Sequence, residues 1–329
     1  SCSDIERINS ITPSIKSLTR SGWTTVLLIA LASAVAQSFG RFTYGVLLPA
    51  VRDDMGITNT EAGFIGAANV GAYLLGTLLV AWATNRYLLL NVMRLGLIMA
   101  TSGLILASVA DSPLLLAMAL FVAGVGGAFL WIPAPVIASD ALPPGRRPLA
   151  IGLMSSGIGL GVVFASILSG VLRSSEGDHA WSSVYQVEFC IALLVLAGTL
   201  FIVRHDQSKP RGGGGVGGLR ALRRMRSWLP LILAYSTFGF MYLLVIGFLT
   251  TRLEDDSAWT TGHAAIAFTL MGFSMIFGGP TFVVISRQVG VRLALSIAYG
   301  LWPVFVCIVL TGFYLPTLAA CIGLGILFS

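Results

Sequence analysis

Ser33, Gln37, Arg41 and Tyr44 recur at spacings of four, four and three inside an otherwise apolar stretch. An α-helix puts residues so spaced on one face. Arg41 brings the chemistry: its guanidinium is a planar fork of donors that fits a carboxylate or phosphate through two parallel hydrogen bonds. It is also expensive, since an arginine central to an apolar helix costs about 2.5–3.5 kcal/mol on insertion scales. Three readings account for it. It lines a cavity and holds the anionic group of a bound solute, it reaches back to a membrane interface, or it makes an interhelix hydrogen bond. The second reading draws on Pro49, about 12 Å further along a helix.

Other residues extend this constellation. Ala62, Gly66, Asn69, Tyr73 and Thr77 form a second face at helical spacing, in which the small residues allow close packing and Asn69 and Tyr73 are candidate binding groups. Tyr235, Phe238 and Tyr242 form an aromatic face, either packing or the wall of a site. Glu188 in "YQVEFCIALL" is a carboxylate set inside an apolar run. It either reaches the nearby interface or stays buried and carries a proton, because burial penalises the charged form.

Catalytic chemistry does not assemble. There is no H-E-x-x-H, no nucleophile elbow and no metal-ligand cluster, and His179, His205 and His263 fall at loops or helix ends. The "GIGLG" of Gly157, Gly159 and Gly161 lacks a preceding strand and reads as helix packing rather than dinucleotide binding. Cys2, Cys190, Cys307 and Cys321 show no C-x-x-C spacing and read as packing residues. No enzyme activity, metal or cofactor is expected.

The elements that position these groups follow from composition. Of 329 residues 56% are hydrophobic and 10% charged, far from the roughly 25% charged of a soluble domain. An all-α integral membrane protein is predicted. Apolar runs that span a bilayer of about 30 Å fall at 23–50, 61–84, 92–110, 113–138, 149–172, 184–203, 228–250, 261–285, 291–311 and 315–329. Trp131, Pro133 and Pro135 predict a kink near the end of the fourth. The tenth run stops mid-helix, which reads as a C-terminally truncated chain.

Basic residues set the expected orientation. With the amino terminus cytoplasmic, 16 of the 20 Lys and Arg lie inside, with Arg52, Arg173 and Arg252 outside and Arg41 within a span. The net charge of +6 therefore faces lipid headgroups and implies no nucleic-acid partner. The divisions are a cytoplasmic tail over 1–22, with no apolar core that would make it a signal peptide, a six-helix bundle over 23–203, a linker over 204–227 and a second, partial bundle over 228–329. The linker, "RHDQSKPRGGGGVGGLRALRRMRS", reads as a flexible tether with a basic end.

The bundles echo each other. "FGRFTY" at 39–44 returns as "FGFMY" at 238–242, and the capping box of Thr58 and Glu61 in "TNTE" returns loosely as "WTTGH" at 259–263. "ATNRY" at 83–87, after the second span, answers "ISRQVGVR" at 285–292, after the eighth. Three matches in register mark an internal repeat of about 200 residues.

These residues resemble the major facilitator superfamily, with "GRFTYGVLLPAV", "PPGRRPLAIGLMSSGIGLG" and "YSTFGFMYLLVIGFL" similar to its bacterial YbfB-type branch. The family carries a G-x-x-x-D-R-x-G-R-R-like loop after the second helix and a degenerate copy after the eighth. Here Asn85 stands at the aspartate position before Arg86, and Leu88 to Leu90 replace the glycine and basic pair. The second copy keeps Gly290 and Arg292 but has Arg287 at the aspartate position. The resemblance implies two six-helix bundles related by a pseudo-two-fold axis, of which nine to ten of twelve helices are present. It implies a monomeric multi-pass protein of the bacterial inner membrane that moves a small organic solute by alternating access, coupled to protons. Drug or metabolite efflux, or a non-transporting receptor on the same scaffold, are the other readings. Substrate binding then falls to Gln37, Arg41, Tyr44, Asn69, Tyr73, Tyr235, Phe238 and Tyr242, proton coupling to Glu188, and gating to Asn85, Arg86, Arg287, Gly290 and Arg292.

Overall fold

Threonine and glycine set several helix boundaries. The Thr58 N–H donates to the Glu61 carboxylate at 2.8 Å and the Glu61 N–H returns a bond to Thr58 Oγ1 at 3.2 Å, a reciprocal cap that starts the second helix. Thr260 caps the eighth helix by accepting from the His263 N–H at 3.3 Å. At Gly290 a φ of 85°, strained for any residue with a side chain, lets the chain turn at once into the ninth.

The computed structural model describes residues 22–203 and 228–328; the amino-terminal tail and the linker with its basic run lie outside the described residues. The helices are α1 (Gly22–Met55), α2 (Asn59–Ala83), α3 (Leu89–Ser108), α4 (Pro113–Asp140), α5 (Pro144–Glu176), α6 (Asp178–Ile202), α7 (Trp228–Asp256), α8 (Thr261–Val289), α9 (Val291–Leu310) and α10 (Tyr314–Phe328). Among the described residues the first nine are long and apolar enough to cross a membrane. Phe64, Leu194 and Phe201 stand outward and exposed, as lipid-facing positions do. The kink is at the expected prolines: regular helix ends at Trp131 and resumes at Ala134.

Within α1, Ala34–Phe42 is π-helical. The Thr43 N–H reaches back five residues to the Ser38 carbonyl, a widened turn of the kind that recurs at functional sites.

One apolar core fills the first bundle around Leu47, Leu97, Leu120 and Tyr185. A second joins the two bundles, with Phe42, Val46, Ile158 and Val162 of α1 and α5 packed against Ile246, Leu249, Phe268 and Met271 of α7 and α8. Glycines permit the closest crossings. A Cβ on Gly45 would collide with the Ile246 carbonyl of α7, and one on Gly159 would lie 2.6 Å from the Gly272 carbonyl of α8. The "GIGLG" segment is thus a packing surface with two sides, since Gly157 faces the Ala30 carbonyl of α1. Gly157→Ala puts a methyl into that backbone contact. It is expected to destabilise the first bundle by about 1–3 kcal/mol, read as a lower unfolding temperature in detergent.

Candidate functional site

Arg41 stands between the bundles. Its guanidinium carbon lies 4.7 Å from the ring centre of Tyr73 on α2, 5.7 Å from that of Tyr242 on α7 and 6.0 Å from that of Phe42. Such contacts each stabilise a cation by about 0.5–2 kcal/mol. They leave its hydrogen-bonding capacity unspent: Arg41 Nε is buried with no partner, and among the described residues no carboxylate pairs with it. The interface reading therefore gives way to an arginine held inward by aromatic rings.

The polar residues read around Arg41 run through the π-helical segment and each takes its own partner. Ser33 Oγ donates to the Ile29 carbonyl at 2.9 Å, and Gln37 Nε2 donates across to the Gly127 carbonyl of α4 at 3.4 Å. The Tyr44 hydroxyl donates to the Ala62 carbonyl of α2 at 2.8 Å. Asn69 spends its amide hydrogens on the Gly40 and Leu120 carbonyls at 2.9 and 2.7 Å, tying α2 to α1 and α4. Tyr73 and Tyr242, stacked on the cation, remain its immediate companions.

Two cavities flank this point. One of about 270 Å³ lies among α1, α2 and α7, lined by Arg41, Tyr44, Asn69, Phe240 and Phe248. A larger one of about 600 Å³ opens between the bundles at the end where α5 and α9 begin. Trp131 and Ser155 line it from the first bundle and Tyr235, Phe238, Tyr299 and Phe328 from the second. Tyr242 connects them, with its ring 5.1 Å from Phe328 and 5.7 Å from Phe238. Phe238 also meets Trp302 at 5.6 Å. The aromatic face of α7 is thus brought together with Arg41, except for Tyr235, which is exposed at the cavity mouth.

The opposite end, where α1 passes into α2, is sealed. Arg173 at the end of α5 donates to both oxygens of Glu254 on α7 at 3.0 Å, and to Asp178 at 2.9 and 3.0 Å, with its side chain 3% exposed. Arg52 at the end of α1 binds Asp255 on α7 with both terminal nitrogens, and reaches Asn59 at 3.0 Å and Asp53 at 2.7 Å. In the sequence Arg52 and Arg173 show only as basic residues on the outer side. The signal was the acidic "LEDD" that ends α7, which faces the basic ends of α1 and α5.

Glu188 does not reach an interface. It is fully buried on α6, where Oε1 lies 2.6 Å from Thr43 Oγ1 of α1 and Oε2 has no partner. Among the described residues no arginine or lysine pairs with it. At the other predicted positions contacts stay local: Asn85 Nδ2 donates to the Ala81 carbonyl at 3.1 Å and Arg86 sits 4.9 Å from the ring centre of Trp82. Arg287, Gly290 and Arg292 are exposed around the α8–α9 turn.

Two helical bundles that meet at one end and part around a cavity at the other have the architecture of membrane transport proteins. The chain belongs to the major facilitator superfamily, whose family model matches residues 30–329. It is 20% identical over 183 residues to the cis,cis-muconate transport protein of Acinetobacter baylyi, covering 55% of this chain and 43% of that protein. It is 27% identical over 170 residues to a probable 4-methylmuconolactone transporter of Cupriavidus pinatubonensis, covering 51% and 39%. These matches span less than half the length of either relative. A bacterial homologue of the human lysosomal transporter Spinster shares the fold, with a TM-score of 0.68 at 18% identity over 93% of this chain and 74% of that one.

Proposed function

We propose that the chain works in a secondary active transporter that moves a small organic carboxylate by alternating access between its two bundles. The observation that carries this reading is Arg41, a cation inside the bundle with an unspent buried donor and, among the described residues, no carboxylate partner. Arg52 and Arg173 are both paired with carboxylates, whereas Arg41 is free to take an anion. The rings of Tyr73, Tyr242 and Phe238 suit a flat, unsaturated body behind the carboxylate. Muconate, the solute named for one relative, is a carboxylate of that kind. With the amino terminus cytoplasmic, the sealed end faces outward and the larger cavity opens inward in a bacterial inner membrane. Glu188 serves as the proton-binding carboxyl, since a charge there would lie buried without a cation.

Counterflow in proteoliposomes containing the full chain, with cis,cis-muconate as the probe, tests the reading. Exchange of labelled for unlabelled muconate that exceeds that of protein-free vesicles is expected. Saturable binding without exchange would instead identify a receptor on this scaffold.

A further inference from the structure

Thr43 follows directly on the π-helical segment of α1, and its single hydroxyl hydrogen faces two acceptors. Oγ1 lies 2.6 Å from Glu188 Oε1 and 3.3 Å from the Ser38 carbonyl oxygen. That same carbonyl accepts the Thr43 N–H that closes the wide turn, and the turn encloses Phe39, Gly40, Arg41 and Phe42. A hydroxyl has one hydrogen to give and lone pairs to receive with. A protonated Glu188 donates to Thr43 Oγ1 and frees the Thr43 hydrogen for Ser38, so both bonds are made. An ionised Glu188 captures the Thr43 hydrogen, and the Ser38 carbonyl keeps its backbone bond alone.

Among the described residues no cation around Glu188 answers the proton in place of this exchange. Tyr185 on the same helix is fully buried with an unpartnered hydroxyl, and the Tyr44 hydroxyl on α1 is spent on Ala62. On α3, Arg94 donates to the Leu200 and Val203 carbonyls at the far end of α6, and on α5, Arg173 is taken by Asp178 and Glu254.

We propose that Glu188 and Thr43 form a proton-operated switch on the π-helical turn that carries Arg41. Proton binding firms the turn and holds the guanidinium between Tyr73 and Tyr242; proton loss slackens it. The switch stands on the hydrogen bonds, while its effect on a transported anion rests on the function proposed above.

Amide hydrogen exchange of the full chain in lipid nanodiscs, followed by mass spectrometry over a pH series and corrected for the intrinsic rate, tests it. In the wild type, protection of the peptide covering Ala34–Phe42 is expected to fall in one step as pH rises. Glu188→Gln, whose amide N–H donates to Thr43 in place of the acid, should keep the acid-side protection at every pH. Thr43→Val should remove the step, and Thr43→Ser should restore it. The same pH profile in the wild type and Glu188→Gln overturns the switch. Should Glu188→Gln fail to fold, a step that persists in Thr43→Val overturns it equally. Binding of cis,cis-muconate separates the two ideas: muconate bound with no step refutes the switch alone, and a step with no muconate bound refutes the anion site alone.

Discussion

Replacing Arg41 with alanine is expected to lower the affinity for cis,cis-muconate by about tenfold to over a hundredfold, because a charge-assisted hydrogen bond is worth about 1.5–3 kcal/mol. Arg41→Lys should fall between, since it keeps the charge but loses the bidentate fork and the guanidinium contact with the Tyr73 ring. Ligand-dependent unfolding temperature reads both, because a ligand that binds the native state alone raises its stability. Neither variant should unfold the protein: among the described residues Arg41 has no ion-pair partner to orphan, and the packing of α1 on α7 is carried by Phe42, Gly45 and Val46. Unchanged affinity in Arg41→Ala would reduce the arginine to a packing role. Collapse of the unliganded protein would make it a structural tie instead.

The contrast between Arg41 and Glu188 shows how far the sequence reaches. Apolar runs gave the ten helices to within six residues at either end, because lipid imposes length and hydropathy on each segment separately. The capping threonines were legible for the same reason: Thr58 and Glu61 are three residues apart. Where a polar side chain points depends on other helices. Glu188 lies near the end of its apolar run, which fits a carboxyl reaching for the interface; instead it is buried, and its hydrogen-bond partner Thr43 lies 145 residues away. The four-residue spacing around Arg41 assumed an α-helix, whereas the segment is π-helical, a geometry that leaves no mark in hydropathy. The pairs of Arg173 with Glu254 and Arg52 with Asp255 join the two bundles, so no single segment could announce them.

Those pairs carry the other large expected effect. Removing one partner from a buried ion pair costs about 3–5 kcal/mol, because the surviving charge is left without a counter-ion. In Arg173→Gln that cost falls on the sealed arrangement, in which Glu254 is nearly buried, and is relieved when the bundles part and water reaches it. The equilibrium should therefore move toward opening at this end by about two to three and a half powers of ten at 1.4 kcal/mol per tenfold. Leu253→Cys reads the change, since Leu253 is fully buried at the seam. In a background with the exposed Cys190 and Cys307 replaced, alkylation of that cysteine by a membrane-impermeant maleimide should be far faster in Arg173→Gln. Adding Glu254→Gln removes the orphaned charge and should return the rate most of the way, while Asp178 is exposed enough for water to replace its lost partner. Arg52→Gln should do less, because Arg52 is the more exposed of the two cations. An alkylation rate unmoved by Arg173→Gln would place the seal in the apolar contacts of Phe42, Val46, Ile246 and Phe268, leaving the ion pairs without a part in holding it shut.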